Sequence, residues 1–391
     1  MINEFPYWPN NMIIGEGLAL KAYKYLENKK NILIFTDDNL KKTEYFNEVT
    51  NQFNSRDTIV NVYSNIIENP DQDNVEDAIT YMNSVNPEII ICYGGGSVID
   101  LAKAANLMYT HSGNIREYED TAGGIEKIKN ILLPCIAIPT TAGTGSEVSS
   151  VSVITDSVNQ RKMAIISRYL TPNVSILDAN VFKSIPSNLM AYTGIDALTH
   201  CIEAYISSVP FDPGKGIAIQ GIILINKYLR KAVYDESDTE AKEKMLIASA
   251  CGAMAFNNNF LGTVHACAHQ LSTIANIPHG LANSIMLFPV LKWNRDVCLK
   301  DYRFLAQLFD ENEVVGKSDD EAADMLMTSI DNLINDLKIP RKLSTLGVKK
   351  EQIDLLTEKA FKDHNNLTNP KKDLDEGVSK EVLKTLYLEA F

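Results

Sequence analysis

EIIICYGGGSVIDLAKAANLMY (residues 88–109) joins a run of branched apolar residues, three consecutive glycines and a segment of helical period. Such a run reads as a buried strand, a tight turn over Gly94–Ser97 and a helix opening at about Val98. Glycines let the backbone approach a ligand closely, and the free N–H groups and dipole of a helix N-terminus favour a phosphate there. The turn is therefore a candidate pyrophosphate seat. It is neither a GxGxxG fingerprint nor a Walker A loop, because no GK[ST] follows. On turn chemistry alone a ligand-free tight turn explains it equally well, so its companions decide.

Outward from this unit, the chain alternates short β-rich runs with helical patterns up to about residue 180. The runs are NILIFTD (31–37), IVNVYSN (59–65), EIIICY (88–93) and CIAIPTT (135–141), followed by VSVIT and KMAIIS. Amphipathic stretches such as Asn74 to Val85 lie between the early ones, and alternation of this kind implies parallel strands joined by helical crossovers. Beyond Ala179 the texture changes to runs of helical period over 191–207, 214–233, 239–256, 320–337, 351–361 and 376–390. The boundary falls near residue 182, ahead of KSIPSN, where Pro186 opens a helix. The expected organisation is an α/β domain over 1–182 and an all-α domain over 183–391.

A chain of 391 residues exceeds the size at which one hydrophobic core stops growing, and two domains are the default. With 45% hydrophobic and 22% charged residues it has an ordinary globular composition. Thirty-seven basic against fifty acidic side chains leave a net charge of −13, and no dense Lys/Arg cluster breaks that balance. A nucleic-acid partner is disfavoured. MINEFPYWPNNMIIGEG lacks a basic region followed by an apolar run, and no stretch approaches 18 uninterrupted apolar residues, so no membrane association is expected. Six cysteines sit in apolar surroundings without a CxxC pair, which reads as a reduced, cytoplasmic protein.

Two companions support a nucleotide at the glycine turn. Asp37 and Asp38 end the strand NILIFTD, where a carboxylate accepts from ribose hydroxyls and repels a 2′-phosphate, favouring NAD over NADP. IPTTAGTGSEV (138–148) follows another strand with small residues and four hydroxyls, suited to a diphosphate or to the nicotinamide amide.

GTVHACAHQLSTIANIPHG (262–280) holds three of the six histidines. His265 and His269 are four apart on a helical segment, and His279 follows on a turn set by Pro278 and Gly280. Asp196 and His200, in TGIDALTHCIEAY, have the same spacing on another helix, so each pair shares a helix face. His111 and His364 read as ordinary histidines of the surface or core. The other five residues supply a carboxylate and up to four imidazoles, a ligand set for a divalent first-row metal. The absence of thiolate argues against a Cys-rich structural zinc site. A cation held this way polarises a carbonyl or stabilises an alkoxide. Phe256 and Asn257–Asn259 border the region and read as a loop ending a helix.

Taken together, GGGSVIDLAKA, IPTTAGTGSEV, GIDALTHCIEAY and HACAHQLSTIANIPHGLAN closely resemble the iron-containing alcohol dehydrogenase family, in the same order and over nearly the whole chain. The resemblance implies an N-terminal dinucleotide-binding α/β domain and an all-α metal-binding domain, the dehydroquinate synthase-like fold. It implies Asp196, His200, His265 and His279 as metal ligands, with His269 beside the metal and the nicotinamide. It likewise implies NAD contacts at Asp37, Asn69, Gly95, Gly96, Ser97, Asp100, Thr140, Thr141, Thr144 and Lys162. The activity implied is reversible hydride transfer between a short primary alcohol or diol and NAD(H), with His269 relaying the proton. A divalent metal is implied, Fe(II) before Zn(II), and one Asp with three His accepts either. A homodimer or larger homo-oligomer is implied, with Phe5 to Ile14 as a candidate contact.

Two stretches depart from many relatives. SIMLFPVLKWN places Phe288 and Pro289 where a leucine run is followed by Pro-His, and Asp363-His364-Asn365 stands in place of Asp-Ala-Cys ahead of Thr368-Asn369-Pro370-Lys371. Within the leading class a glycerol-type vicinal-diol dehydrogenase is the nearest alternative. A dehydroquinate synthase-like lyase needs a basic pocket for a phosphorylated acid, and residues 190–290 offer few cations, mostly on polar helix faces. A non-catalytic NAD sensor with a structural metal leaves His269 without a role.

Overall fold

The computed structural model describes residues 11–375 and 377–391, and the chain divides into two compact units, Met1–Ile185 and Pro186–Phe391. The first unit contains strands β1 (Asn11–Ile14), β2 (Asn31–Phe35), β3 (Ile59–Tyr63), β4 (Ile89–Gly94), β5 (Cys135–Pro139), β6 (Val151–Asp156), β7 (Arg161–Ile166) and β8 (Val174–Leu177). Its main helices are α1 (Glu44–Asn54), α2 (Gln72–Val85) and α3 (Gly96–Thr110). Six strands form one sheet in the order β1-β8-β5-β4-β2-β3, and every pair is parallel. Ile89, Ile90, Ile91 and Cys92 are all buried, as expected of a strand covered on both faces.

Local signals set the crossovers. Thr43 caps α1 by accepting from Phe46 N, and Asp71 caps α2 by accepting from Asn74 N at 3.0 Å. Asn86 then ends α2 in the left-handed conformation. From β2 the chain crosses to β3 on one side and returns to β4 on the other. The carboxyl ends of β2 and β4 therefore lie at a topological switch point, the place where open α/β sheets take ligands.

VSVIT and KMAIIS do not join this sheet. As β6 and β7 they form an antiparallel ribbon in register from Val151↔Ile166 to Asp156↔Arg161. Their alternating burial explains the difference, because a strand half exposed along its length suits a ribbon with one covered face.

The second unit is helical: α4 (Ser187–Ile206), α5 (Asp212–Tyr234), α6 (Thr239–Asn259), α7 (Thr263–Ala275), α8 (His279–Asn294) and α9 (Leu299–Phe309). Further helices over Asp319–Asp336, Ile353–Phe361 and Lys380–Ala390 complete it. Nearly all of α4 from Met190 onward is buried, so it is the central helix of this unit. A Cβ at Gly221 of α5 would stand 2.4 Å from Cys201 Sγ of α4, and one at Gly280 of α8 would stand 2.5 Å from Tyr192 O. These glycines permit the close approach of α5 and α8 to α4.

Two local expectations change. His279 is the first residue of α8, with Pro278 at the cap, rather than part of a free turn. Asn257–Asn259 belong to the last turn of α6 rather than to a loop, and Phe256 packs its ring 4.9 Å from that of His200. Pro289 is buried inside α8, and the Arg341 guanidinium lies over Phe288.

Candidate metal and nucleotide sites

Three helices bring the predicted donors of the second unit together. Asp196 and His200 project from α4, His265 from α7 and His279 from the start of α8, and their ligand atoms all lie within 4.8 Å of one another. The Nε2 atoms of His200, His265 and His279 stand 3.9, 3.8 and 3.7 Å from Asp196 Oδ1. A cation bonded at about 2.0–2.2 Å to four such donors sets neighbours roughly 3–4 Å apart, so the spacing fits. Asp196, His200 and His265 are buried, and His279 is partly open. Burial, followed by the neighbouring histidines, holds the His265 imidazole well below its usual pKa. Both influences favour the neutral ring that a metal ligand has to present.

Asn283, one turn along α8 from His279, makes the same point independently. Its Nδ2 donates to Asp196 Oδ1 at 2.6 Å and lies 3.1 and 3.2 Å from Nε2 of His265 and His279. Its Oδ1 is buried without a partner. The donors converge on a point that attracts positive charge, and the chemistry of one carboxylate with three imidazoles fits a divalent first-row cation.

His269 stands beside this cluster. Its ring stacks on His279 at 5.4 Å, and its Nδ1 lies 2.9 Å from Asp363 Oδ2. Asp363 also accepts from Gln270 Nε2, and its other oxygen accepts from the N and Nδ2 of Asn365, so the departing Asp-His-Asn stretch docks onto α7. Glu203, which the sequence reading passed over, is buried behind His265. Its Oε2 lies 2.6 Å from His265 Nδ1, and its Oε1 accepts from Val264 N at 2.7 Å. Burial pushes its carboxyl up to about 8, against the opposing pull of the α7 N–H groups. Asp196, His200 and Glu203 follow an i, i+4, i+7 spacing, which is the signal in the sequence that marks Glu203.

In the first unit, β4 ends at Gly94, Gly95 caps α3 and Gly96 begins it. Cβ atoms at Gly95 and Gly96 would stand 3.1 Å from Thr141 Cγ2 and 2.6 Å from Thr144 Cγ2, so the turn is pressed against the 140–144 loop. Thr140 N donates to Gly94 O. Asp100 is buried, accepting from Ser146 Oγ at 2.8 Å and Val153 N at 3.2 Å. Lys103 Nζ donates to Ser149 O, Ser149 Oγ and Val151 O. These two side chains of α3 thus fasten the loop that carries Thr140, Thr141 and Thr144, and Ser97 lies in the first turn of the same helix.

Asp37 follows β2 at the switch point. Its Oδ1 accepts from Asn39 N and Leu40 N, and Oδ2 makes no bond among the described residues. Asn69, in the left-handed conformation, accepts from Lys162 Nζ at 2.7 Å, and Lys162 also donates to Thr155. Burial lowers the Lys162 ammonium to about 8. No helix among the described residues is long and apolar enough to cross a membrane.

The sequence profile of iron-containing alcohol dehydrogenases matches residues 9–179, and that of the C-terminal part of the Fe-containing alcohol dehydrogenase family matches residues 190–387. Alcohol dehydrogenase 4 of Schizosaccharomyces pombe is 37% identical over 93% of this chain and 85% of its own length. The NAD-dependent methanol dehydrogenase of Bacillus methanolicus is 34% identical over 97% of this chain and 98% of its own. The crystal structure of a 1,3-propanediol oxidoreductase superposes with a TM-score of 0.93, at 34% identity and over 100% of both chains.

Proposed function

Because the chain belongs to the iron-containing alcohol dehydrogenase family, we propose that it interconverts a short primary alcohol or diol and its aldehyde with NAD(H) as the redox partner. The observation that carries this reading is the convergence of Asp196, His200, His265 and His279 with His269 alongside. When bound, a divalent cation supplies Lewis acidity to the substrate oxygen, and NAD(H) carries the hydride.

The residues divide the remaining work. Asp196, His200, His265 and His279 hold the cation, and we take it to be Fe(II), with Zn(II) fitting the same donors. His269 is the proton carrier. A carboxylate only accepts, so Asp363 keeps the proton of His269 on Nδ1 and leaves the Nε2 lone pair to take a proton from the alcohol or return it to the aldehyde. Gly95, Gly96 and Ser97 at the α3 N-terminus hold the pyrophosphate, and Thr140, Thr141 and Thr144 line the facing loop. The unbonded oxygen of Asp37 accepts from a ribose hydroxyl, Asn69 and Lys162 complete the NAD contacts, and Asp100 holds the loop against α3. We propose the boundary between the two functional domains at residue 182, close to the division of the compact units between Ile185 and Pro186.

We further propose a cytoplasmic homo-oligomer. All six cysteines are free and buried, which suits a reducing compartment. β1 lies at the edge of its sheet, a natural pairing surface, while the Phe5–Asn10 part of the candidate contact lies outside the described residues.

The test is NADH consumption with a panel of short aldehydes, on metal-stripped protein reloaded anaerobically with Fe(II) and, in parallel, Zn(II). Metal-dependent consumption is the expected result and ranks substrates by length. Tight NAD binding without consumption by either metal form would overturn the dehydrogenase reading.

A further inference from the structure

We propose that Glu203 is a positioning residue for the metal centre, fixing the tautomer and angle of His265 so that its Nε2 faces the other three donors. The inference rests on the reading above that this cluster holds a divalent cation.

Three observations converge on it. Glu203 is 3% exposed, and both of its oxygens are committed to α7: Oε1 to Val264 N at 2.7 Å and Oε2 to His265 Nδ1 at 2.6 Å. A cation held on Nε2 leaves Nδ1 as the protonated ring nitrogen, and Oε2 at 2.6 Å is placed to accept from it, the carboxyl then giving up the proton that burial alone favours. Nε2 is the ring nitrogen 3.8 Å from Asp196 Oδ1. The backbone is shaped around the same carboxylate, because a Cβ at Gly262 would stand 2.8 Å from Glu203 Oε1.

The consequence is that α4 supplies more than two ligands. Asp196 and His200 face the cluster directly, and Glu203, one turn beyond His200 on the same stripe, reaches under α7 to aim a third. Histidine ligands are commonly held this way, and losing the outer partner costs about 10–100-fold in metal affinity.

Glu203→Gln isolates this role from helix capping. The amide offers one acceptor oxygen where two N–H donors converge, so either Val264 N–H or His265 Nδ1–H faces another donor. The strain is relieved when His265 moves its proton to Nε2, and the ring then no longer ligates. Zn(II) affinity is measured by competition with a chromogenic chelator, alongside the visible absorption of the Co(II)-loaded protein and NAD binding. The expected result is Zn(II) binding about 10–100-fold weaker and an altered Co(II) spectrum, with NAD binding and far-UV circular dichroism unchanged. Wild-type Zn(II) affinity and Co(II) spectrum in a folded Glu203→Gln protein would overturn the inference and leave the dehydrogenase reading standing. Failure of the unsubstituted protein to take up Zn(II) at this cluster would instead sink that reading. Should Glu203→Gln not fold, ¹⁵N shifts of His265 in the Zn(II)-loaded, unsubstituted protein decide. A protonated Nδ1 with a metal-bound Nε2 supports the proposal, and the reverse assignment overturns it.

Discussion

Asp363 Oδ2 lies 2.9 Å from Nδ1 of His269, although the two residues are 94 positions apart in the chain. The contact ties the proposed proton carrier to the 363–369 segment, whose Asn369 Oδ1 also accepts from Thr263 N at the start of α7. His269→Ala is expected to lower kcat by about 10²–10⁴-fold, the usual contribution of a general acid or base, without changing metal content. Asp363→Asn is expected to have a smaller effect of the same kind, because its amide can turn a donor toward the ring. Steady-state kinetics beside metal analysis checks both, and an unchanged rate and pH profile in His269→Ala removes the relay.

Loss of a ligand should be read first in stoichiometry. His279→Ala and Asp196→Ala are each expected to fall from about one bound metal per chain to a small fraction, with activity lost in proportion. Chelator treatment of the unsubstituted protein should do the same, reversibly on return of the metal. Of the pair, Asp196→Ala is expected to be the more damaging, since it removes the one carboxylate of the cluster and leaves only neutral imidazoles to face the cation. A His279→Ala protein with full metal and full activity would end the ligand assignment.

Cofactor choice should depend on Asp37. Removing its carboxylate takes away a like charge facing a 2′-phosphate, so Asp37→Gly is expected to raise the ratio of NADP to NAD turnover by about tenfold or more. The same change removes the acceptor of Asn39 N and Leu40 N, and a stability loss of about 1 kcal/mol should accompany it. The comparison of kcat/KM for the two cofactors is the measurement; an unchanged preference undercuts the ribose contact.

Glu147 predicts a pH dependence of stability. Burial raises its carboxyl to about 7, the nearby Lys103 only partly offsets this, and Oε1 has no hydrogen-bond partner. Between its ordinary value near 4.5 and about 7 the folded chain binds more protons than the unfolded one, so this group's contribution to stability is lost as pH rises through that window. Above pH 7 the cost is on the order of 1–3 kcal/mol. Glu147→Gln should match the parent near pH 5 and melt a few degrees higher near pH 8. Parallel melting curves across this range would show that the carboxyl is not destabilising.

Much of this was legible in the sequence because the signals are local. Ile89–Cys92 followed by three glycines marks the central strand and its turn, and the two four-residue spacings mark α4 and α7 with their donors. What escaped was set by distance or brevity. β1 and β8 are four residues each and acquire meaning only by pairing, β1 with β8 and β8 also with β5. β6 and β7 show strand periodicity that does not say which strand they pair with, and the antiparallel ribbon emerges only in three dimensions. The residues that cluster, Asp196, His200, His265 and His279, were readable, but the groups packed behind them were less so. Glu203 shares the helical stripe of Asp196 and His200, whereas no pattern near Asp363 announces that it meets His269.

The pairing of β1 with β8 also orders events in time. Asn11 is made long before its partner Val174, so β1 cannot take its place in the sheet until synthesis has passed β8. Asp196 and His200 emerge next, His265 and His279 after them, and Asp363 and Asn369 later still. At ordinary translation rates this leaves roughly ten to forty seconds in which a nascent chain has its nucleotide-binding sheet but not the whole of its metal-binding architecture. Assembly of the four clustered donors is thus a late event in the synthesis of each molecule.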